Sequence, residues 1–169
     1  MEIALQTCLE MFQQRGYTIV EHDEDRINAV KQDGRSICAF MADTPKFNVN
    51  RVQEYISFMN QLDTNHGIIV YKDNATPMAK KVIDNSQDII IELFTEEELQ
   101  YNITKHRLVP KHERLSPEEA VAFKKSFGIK FPSLLITDPV SRFYGYSRGD
   151  IIKVTRKDGI IYRIVKGGA

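Results

Sequence analysis

Two cysteines, Cys8 and Cys38, are all that the sequence offers for disulfide or thiolate chemistry. Neither lies in a CxxC pair, so the spacing of a zinc site is missing, and two buried thiols are a simpler expectation than a disulfide. No apolar run approaches the roughly 18 residues that a membrane span needs. Glu2 and Gln6 interrupt the first apolar pattern, which is unlike a secretory leader. The nine glycines are scattered. Neither GxxxxGKS/T nor GxGxxG occurs, so no local motif gathers backbone amides around a phosphate. GxSxG is also absent, and neither cysteine has a base beside it, which leaves nucleophilic catalysis with nothing but an undetected spatial triad. Internal repeats and low-complexity segments are lacking as well.

Net charge is missing too: 23 Lys and Arg balance 23 Asp and Glu over 169 residues. The balance hides an asymmetry. Residues 1–100 hold 9 cations against 17 anions, a net −8, and residues 101–169 hold 14 against 6, a net +8. Such a split fits two small domains with different surroundings. The acidic front half is a poor autonomous DNA binder, because neutralising phosphates needs clustered cations. The basic tail suits an acidic partner or nucleic acid. Hydrophobic residues at 42% and charged residues at 27% are ordinary for a soluble globular chain.

Apolar periodicity predicts a helix over residues 2–15 ended by Gly16, then a strand Tyr17–Val20 and a polar turn from His22 to Asp25. Strands at Ile27–Ala29 and Ser36–Met41 join at Asp33-Gly34. Val49, Val52, Tyr55, Ile56 and Met59 lie at helical spacing within residues 48–62. His66–Tyr71 and Asp88–Phe94 read as strands buried on both faces, with a Thr76-capped helix from Pro77 to Asp84 between them, a βαβ unit. Thr95 and Glu98 form a capping box over a connecting helix at residues 96–101, the expected stiff junction between domains 1–97 and 98–169. Beyond it come a short strand Leu108–Pro110, a helix begun by Ser116-Pro117 and closed by Gly128, and a strand Leu134–Ile136.

The most informative stretch runs from Leu135 to Val165. Asp138 is a good N-cap and Pro139 suits the first helical turn. Val140, Phe143 and Tyr144 give that helix an apolar face, and Gly145 stops it. Two β-branched runs follow, Ile151–Thr155 and Ile160–Val165, joined by Lys157-Asp158-Gly159, a hairpin signal. Lys153, Arg156, Lys157, Arg163 and Lys166 decorate the hairpin. Alternation is expected to set some of them opposite Ile152, Val154, Ile161 and Ile164. These cations read either as a solvated face or as a basic docking strip. No aromatic platform is interleaved with them in sequence, which argues against single-strand readout.

The DPVxRxxGxxRG pattern of Asp138–Gly149, followed by a basic hairpin, resembles the assembly domain of the fifth subunit shared by eukaryotic nuclear RNA polymerases, to which the archaeal H subunit corresponds. Asn102–His112 resembles that family's NITxHxLVPxH segment. Gly67–Tyr71 with Thr76-Pro77 resembles a strand and turn of its N-terminal jaw domain. The resemblance implies an α/β jaw, restriction-endonuclease-like and non-catalytic, followed by an α+β assembly domain. It implies an accessory subunit that docks on the largest polymerase subunit. The docking residues it implies are His106, Pro110, Asp138, Pro139, Arg142, Arg148, Gly149, Lys153 and Arg163. Thr76 and Pro77 would stand near downstream duplex DNA. No cofactor, metal or membrane partner is expected, and the location would be the nucleus, or the virion or factory of a large DNA virus.

Two readings compete with this one. A Mg²⁺ nuclease of the same fold needs an Asp, then Asp/Glu-x-Lys on the next strand. Ser36–Met41 carries neither an acid nor a lysine, and Asp23, Asp25 and Asp33 fall in turns. Fold likeness does not carry activity. His106 and His112 lack the further ligands of a zinc site and read as packing or hydrogen-bonding groups. A free-standing nucleic-acid-binding adaptor is the other alternative.

Overall fold

The computed structural model describes residues 1–167. Its Cα framework separates into two compact units, dividing after Tyr101, a few residues beyond the junction read from the sequence.

The first unit opens with α1 (Glu2–Gln14), then a meander of β1 (Thr18–His22), β2 (Arg26–Val30) and β3 (Ser36–Ala42). Asp23 shapes the β1–β2 turn by accepting from the amides of Asp25 at 2.9 Å and Arg26 at 2.8 Å. The chain continues through β4 (Lys46–Phe47), α2 (Val49–Gln61), β5 (His66–Tyr71), β6 (Asn74–Ala75), α3 (Pro77–Asp84) and β7 (Ile90–Thr95). Five strands form one sheet in the order β1-β2-β3-β5-β7, antiparallel in the meander and parallel across β3-β5-β7. The parallel half arises because α2 and α3 are crossover helices. Asn48 caps α2 and Thr76 caps α3.

Phe40, Phe47, Val52, Met59, Ile69 and Ile83 are packed between α2, α3 and one face of this sheet. Gly67 lets α2 approach: a Cβ there would come within 2.8 Å of the Met59 sulfur. β5 is buried on both faces, as its continuous apolar run predicts. β7 differs from expectation. It is an edge strand with one neighbour, and Ile90 is 62% exposed. Cys8 and Cys38 are free and buried, and burial pushes both thiols up to about 12, far from a reactive thiolate.

On the face opposite Ile69, one ion cluster ties α1 to the parallel strands. Arg15 donates two hydrogen bonds to Glu92 of β7, at 2.8 and 2.9 Å, and His66 of β5 donates from Nε2 to the same carboxylate at 2.7 Å. Burial alone would raise the Glu92 pKa. The Arg15 charge and the hydrogen bonds from His66 and Arg15 outweigh it and hold the carboxyl at about 2.

The second unit contains β8 (Lys111–Arg114), α4 (Pro117–Phe127), β9 (Ser133–Leu135), α5 (Pro139–Tyr144), β10 (Ile151–Arg156) and β11 (Gly159–Lys166). Its sheet runs β8-β10-β11-β9, with β9 parallel to β11 and the other pairs antiparallel. The mixture of sheet and helices in both units agrees with the α/β and α+β classes.

Two expected elements change. The connecting helix shrinks to one 3₁₀ turn, Glu97–Leu99, although the Thr95–Glu98 capping box forms. The expected strand Leu108–Pro110 is a turn. His106 accepts the Leu108 amide on Nδ1 at 3.2 Å and the Val109 amide on its carbonyl at 2.9 Å, and proline has no amide. No donor remains for a ladder until Lys111, where β8 begins.

Arg15→Met is expected to cost about 3 kcal/mol of stability by stranding Glu92, measured by urea denaturation near neutral pH. Because the folded Glu92 pKa lies below its unfolded value, the stabilisation is complete above about 4.5 and is lost as pH falls towards about 2. Glu92→Gln should flatten the stability–pH curve in that window.

Candidate docking surface of the C-terminal unit

The β10–β11 register decides which side chain serves which face. Ile152 lies opposite Arg163, and Val154 opposite Ile161, so these four share one face. Lys153 lies opposite Tyr162, and Ile151 opposite Ile164, on the other. One placement read from the sequence is therefore corrected: Ile164 belongs to the Lys153 face. Arg163 and Arg156 lie on the Ile152 face. The cations are split between both sides of the sheet, because strand alternation assigns them by parity.

On the Ile152 face, Val154, Val165 and Leu134 pack with Tyr146 into a small core, with Tyr144 stacked on Tyr146 at 5.4 Å. Burial raises the Tyr146 pKa. Beside this core an open groove of about 380 Å³ is lined by the turn Leu108–Pro110, by His112, Leu134, Leu135, Asp138 and Val140, and by Arg156 and Arg163. Leu108 is 74% exposed. His112 holds the turn in place: its Nδ1 lies 2.7 Å from the Pro110 carbonyl. A carbonyl only accepts, so Nδ1 carries the proton in this contact. Asp138 accepts the Val140 amide at 2.9 Å and starts α5 at the groove's edge. Arg163 donates to the Ser133 carbonyl at 3.1 Å, bridging β11 to the entry of β9. The groove thus joins apolar walls to two guanidinium groups and one carboxylate.

The fold brings Pro110, Asp138 and Arg163 together here, and it does not bring the rest. His106 lies on the exposed turn behind Leu108. Pro139 occupies the first position of α5, and Arg142, half-buried, donates its amide to the Asp138 carbonyl at 2.9 Å. Arg148 and Gly149 sit in the turn before β10. Gly149 has φ +89°, a conformation that favours glycine, and its amide donates to Val165 at 2.9 Å. The Arg148 guanidinium is so close to Gly167 that a Cβ there would meet it at 2.8 Å. Lys153 is on the opposite face. The groove residues outside the docking set that the resemblance implies are Leu108, Val109, His112, Ser133, Leu134, Leu135, Val140, Val154 and Arg156. Among them Arg156 carries a sequence signal as one of the hairpin cations, and Leu108 as a large apolar residue that follows a polar stretch.

In the first unit, Thr76 caps α3 by accepting the Ala79 amide at 3.2 Å, and Pro77 is exposed at the first helical position. Asp33 is paired with Arg35 at 2.7 Å. Among the described residues no three His, Cys, Asp or Glu side chains come close enough to hold a metal ion. No helix among them is long and apolar enough to cross a membrane.

The C-terminal unit is thus a cationic sheet domain with an apolar groove. Residues 101–165 match the family model described as "RNA polymerase Rpb5, C-terminal domain". The chain is 35% identical over 170 residues to subunit rpabc1 of DNA-directed RNA polymerases I, II and III from Dictyostelium discoideum, covering 89% of this chain and 86% of that one. It is 34% identical to a putative DNA-directed RNA polymerase subunit, 454R, of Invertebrate iridescent virus 6, covering 95% and 97%. It is 28% identical to an RNA polymerase subunit 5-like protein of Arabidopsis thaliana, covering 90% and 86%. The chain belongs to the Rpb5 family of non-catalytic RNA polymerase subunits.

Asp138→Ala removes the α5 cap at the groove edge. It is expected to lower the stability of the C-terminal unit by about 1 kcal/mol, read from chemical denaturation.

Proposed function

We propose that the C-terminal unit anchors this chain to the largest subunit of a DNA-directed RNA polymerase, and that the groove at Leu108–Pro110, Asp138 and Arg163 receives a segment of that subunit. The observation that carries the reading is the groove itself, where an exposed leucine and two arginines are held by rigid elements in a unit of net charge +8. Apolar walls supply binding energy, and the guanidinium groups select an acidic or carbonyl-rich segment. The short edge strand β9 borders the groove and leaves an edge to which an extended segment can add. Arg148, near the start of β10, extends the basic surface.

The N-terminal unit acts as a non-catalytic jaw beside downstream duplex DNA. Support comes from α3, where exposed Lys80 and Lys81 follow the Thr76-Pro77 turn. The unit as a whole carries −8, so its attraction to phosphate is local and weak, and it positions DNA only when held there by the rest of the enzyme. Such a subunit works where its polymerase works, in the nucleus or in the factory or virion of a large DNA virus.

Leu108→Asp and Arg163→Glu, each in the full chain, should reduce recovery of the largest subunit in affinity purification from the source by about tenfold or more. The urea midpoint of the N-terminal unit should not move. Normal incorporation of both variants would overturn the groove assignment. Gly149→Val is a weaker probe, since its positive φ makes local strain as good an explanation for any loss.

A further inference from the structure

The other face of the C-terminal sheet carries a second surface, independent of the groove reading. α4 has no fully buried residue, although Ser116 caps it and Gly128 closes it. Phe123 packs on Tyr162 of β11 at 4.4 Å, on Phe127 at 4.9 Å and on Phe131 at 5.1 Å. The cluster stays open at its margin: Phe127 is 70% exposed and Ile160 50%. Ile160 stands two residues from Tyr162, on the same face of β11. Large apolar groups in contact and open to water mark an interaction site more often than scattered ones do.

Around Phe127 and the hairpin tip the exposed charges are chiefly lysines. Lys153 shares the sheet face, directly opposite Tyr162. Lys125 and Lys130 are exposed on and just after α4, and Lys157 is exposed at the hairpin tip. The carboxylates on these elements are Glu113, paired with Lys111 at 3.3 Å, Glu118 and Glu119 in the first turn of α4, away from Phe127, and Asp158 in the tip itself.

We propose that the strip between α4 and the hairpin tip docks an acidic amphipathic segment of another protein, with bulky apolar anchors flanked by Asp or Glu. The apolar anchors would cover Phe127 and Ile160, and the acidic flanks would face Lys125 and Lys157. A single-stranded nucleic acid fits less well. Phe123 spends its ring on Tyr162 and Phe131, so Phe127 is left as a lone platform, and an aliphatic Ile160 offers no stacking surface.

The test uses the full chain and a fluorescent synthetic helix-forming peptide of Leu, Phe, Glu and Asp, read by anisotropy. Its controls are the same peptide with lysine in place of the acids, and an oligo-dT strand. The acidic peptide should bind and the two controls should not. Phe127→Ser with Ile160→Thr should weaken binding about tenfold or more. Lys125→Glu with Lys157→Glu, which disturbs no packing, should weaken it as well and make the remainder less salt-sensitive. Unchanged binding in both double variants would overturn the proposal. So would oligo-dT binding that is lost in the same variants. Loss of the largest subunit from polymerase purified with Phe127→Ser/Ile160→Thr would also overturn it, because the strip would then belong to the assembly interface; intact assembly with lost peptide binding supports it.

Discussion

Cross-strand register in the β10–β11 hairpin is the constraint on which the C-terminal unit depends. Backbone pairing fixes Ile152 against Arg163 and Lys153 against Tyr162. A slip of one residue would turn Val154 and Val165 out of their core and drive Lys153 into it. Everything that gives this unit two distinct surfaces follows from that pairing. One face receives Leu134, Tyr146 and the groove; the other receives Phe123 and α4.

The N-terminal unit solves a different problem. Its parallel strands must be covered on both sides. α2 and α3 cover one side with an aromatic and aliphatic core, helped by Gly67. On the other side a bidentate Arg15–Glu92 pair, braced by His66, joins the end of α1 to the last two strands. A desolvated arginine is costly alone, so the pair specifies where α1 lies as much as it stabilises it. Two of the three carboxylates that could be taken for a nuclease's are spent elsewhere: Asp23 builds a turn and Asp33 holds Arg35.

The proposed anchoring role accounts for the division of charge between the units. Under it, one part adheres to a large enzyme and the other does not bind nucleic acid indiscriminately. A net +8 unit and a net −8 unit meet that description.

Much of the fold was written locally. Asp138, Ser116, Thr76 and Asn48 cap the helices they precede, Gly145 adopts the left-handed cap, and Asp158-Gly159 turns the hairpin. Caps and turns are settled within a few residues, so the chain declares them. The turn at Leu108–Pro110 departs from the strand that its apolar run predicts because the side-chain nitrogen and backbone carbonyl of His106 take its amides, which no apolar pattern records. The groove was only partly legible. Pro110, Asp138 and Arg163 come from three separate segments, and only the β8-β10-β11-β9 order makes them neighbours. The aromatic cluster at Tyr162 was hidden for the same reason, since Phe123 and Phe131 reach it across the sheet. The sequence alone determined element types, caps, the charge division and the family resemblance, because these depend on short-range periodicity and on residue identity. The faces, the groove and the Arg15–Glu92–His66 cluster were decided only by tertiary structure, because strand order and register bring together residues that lie far apart along the chain.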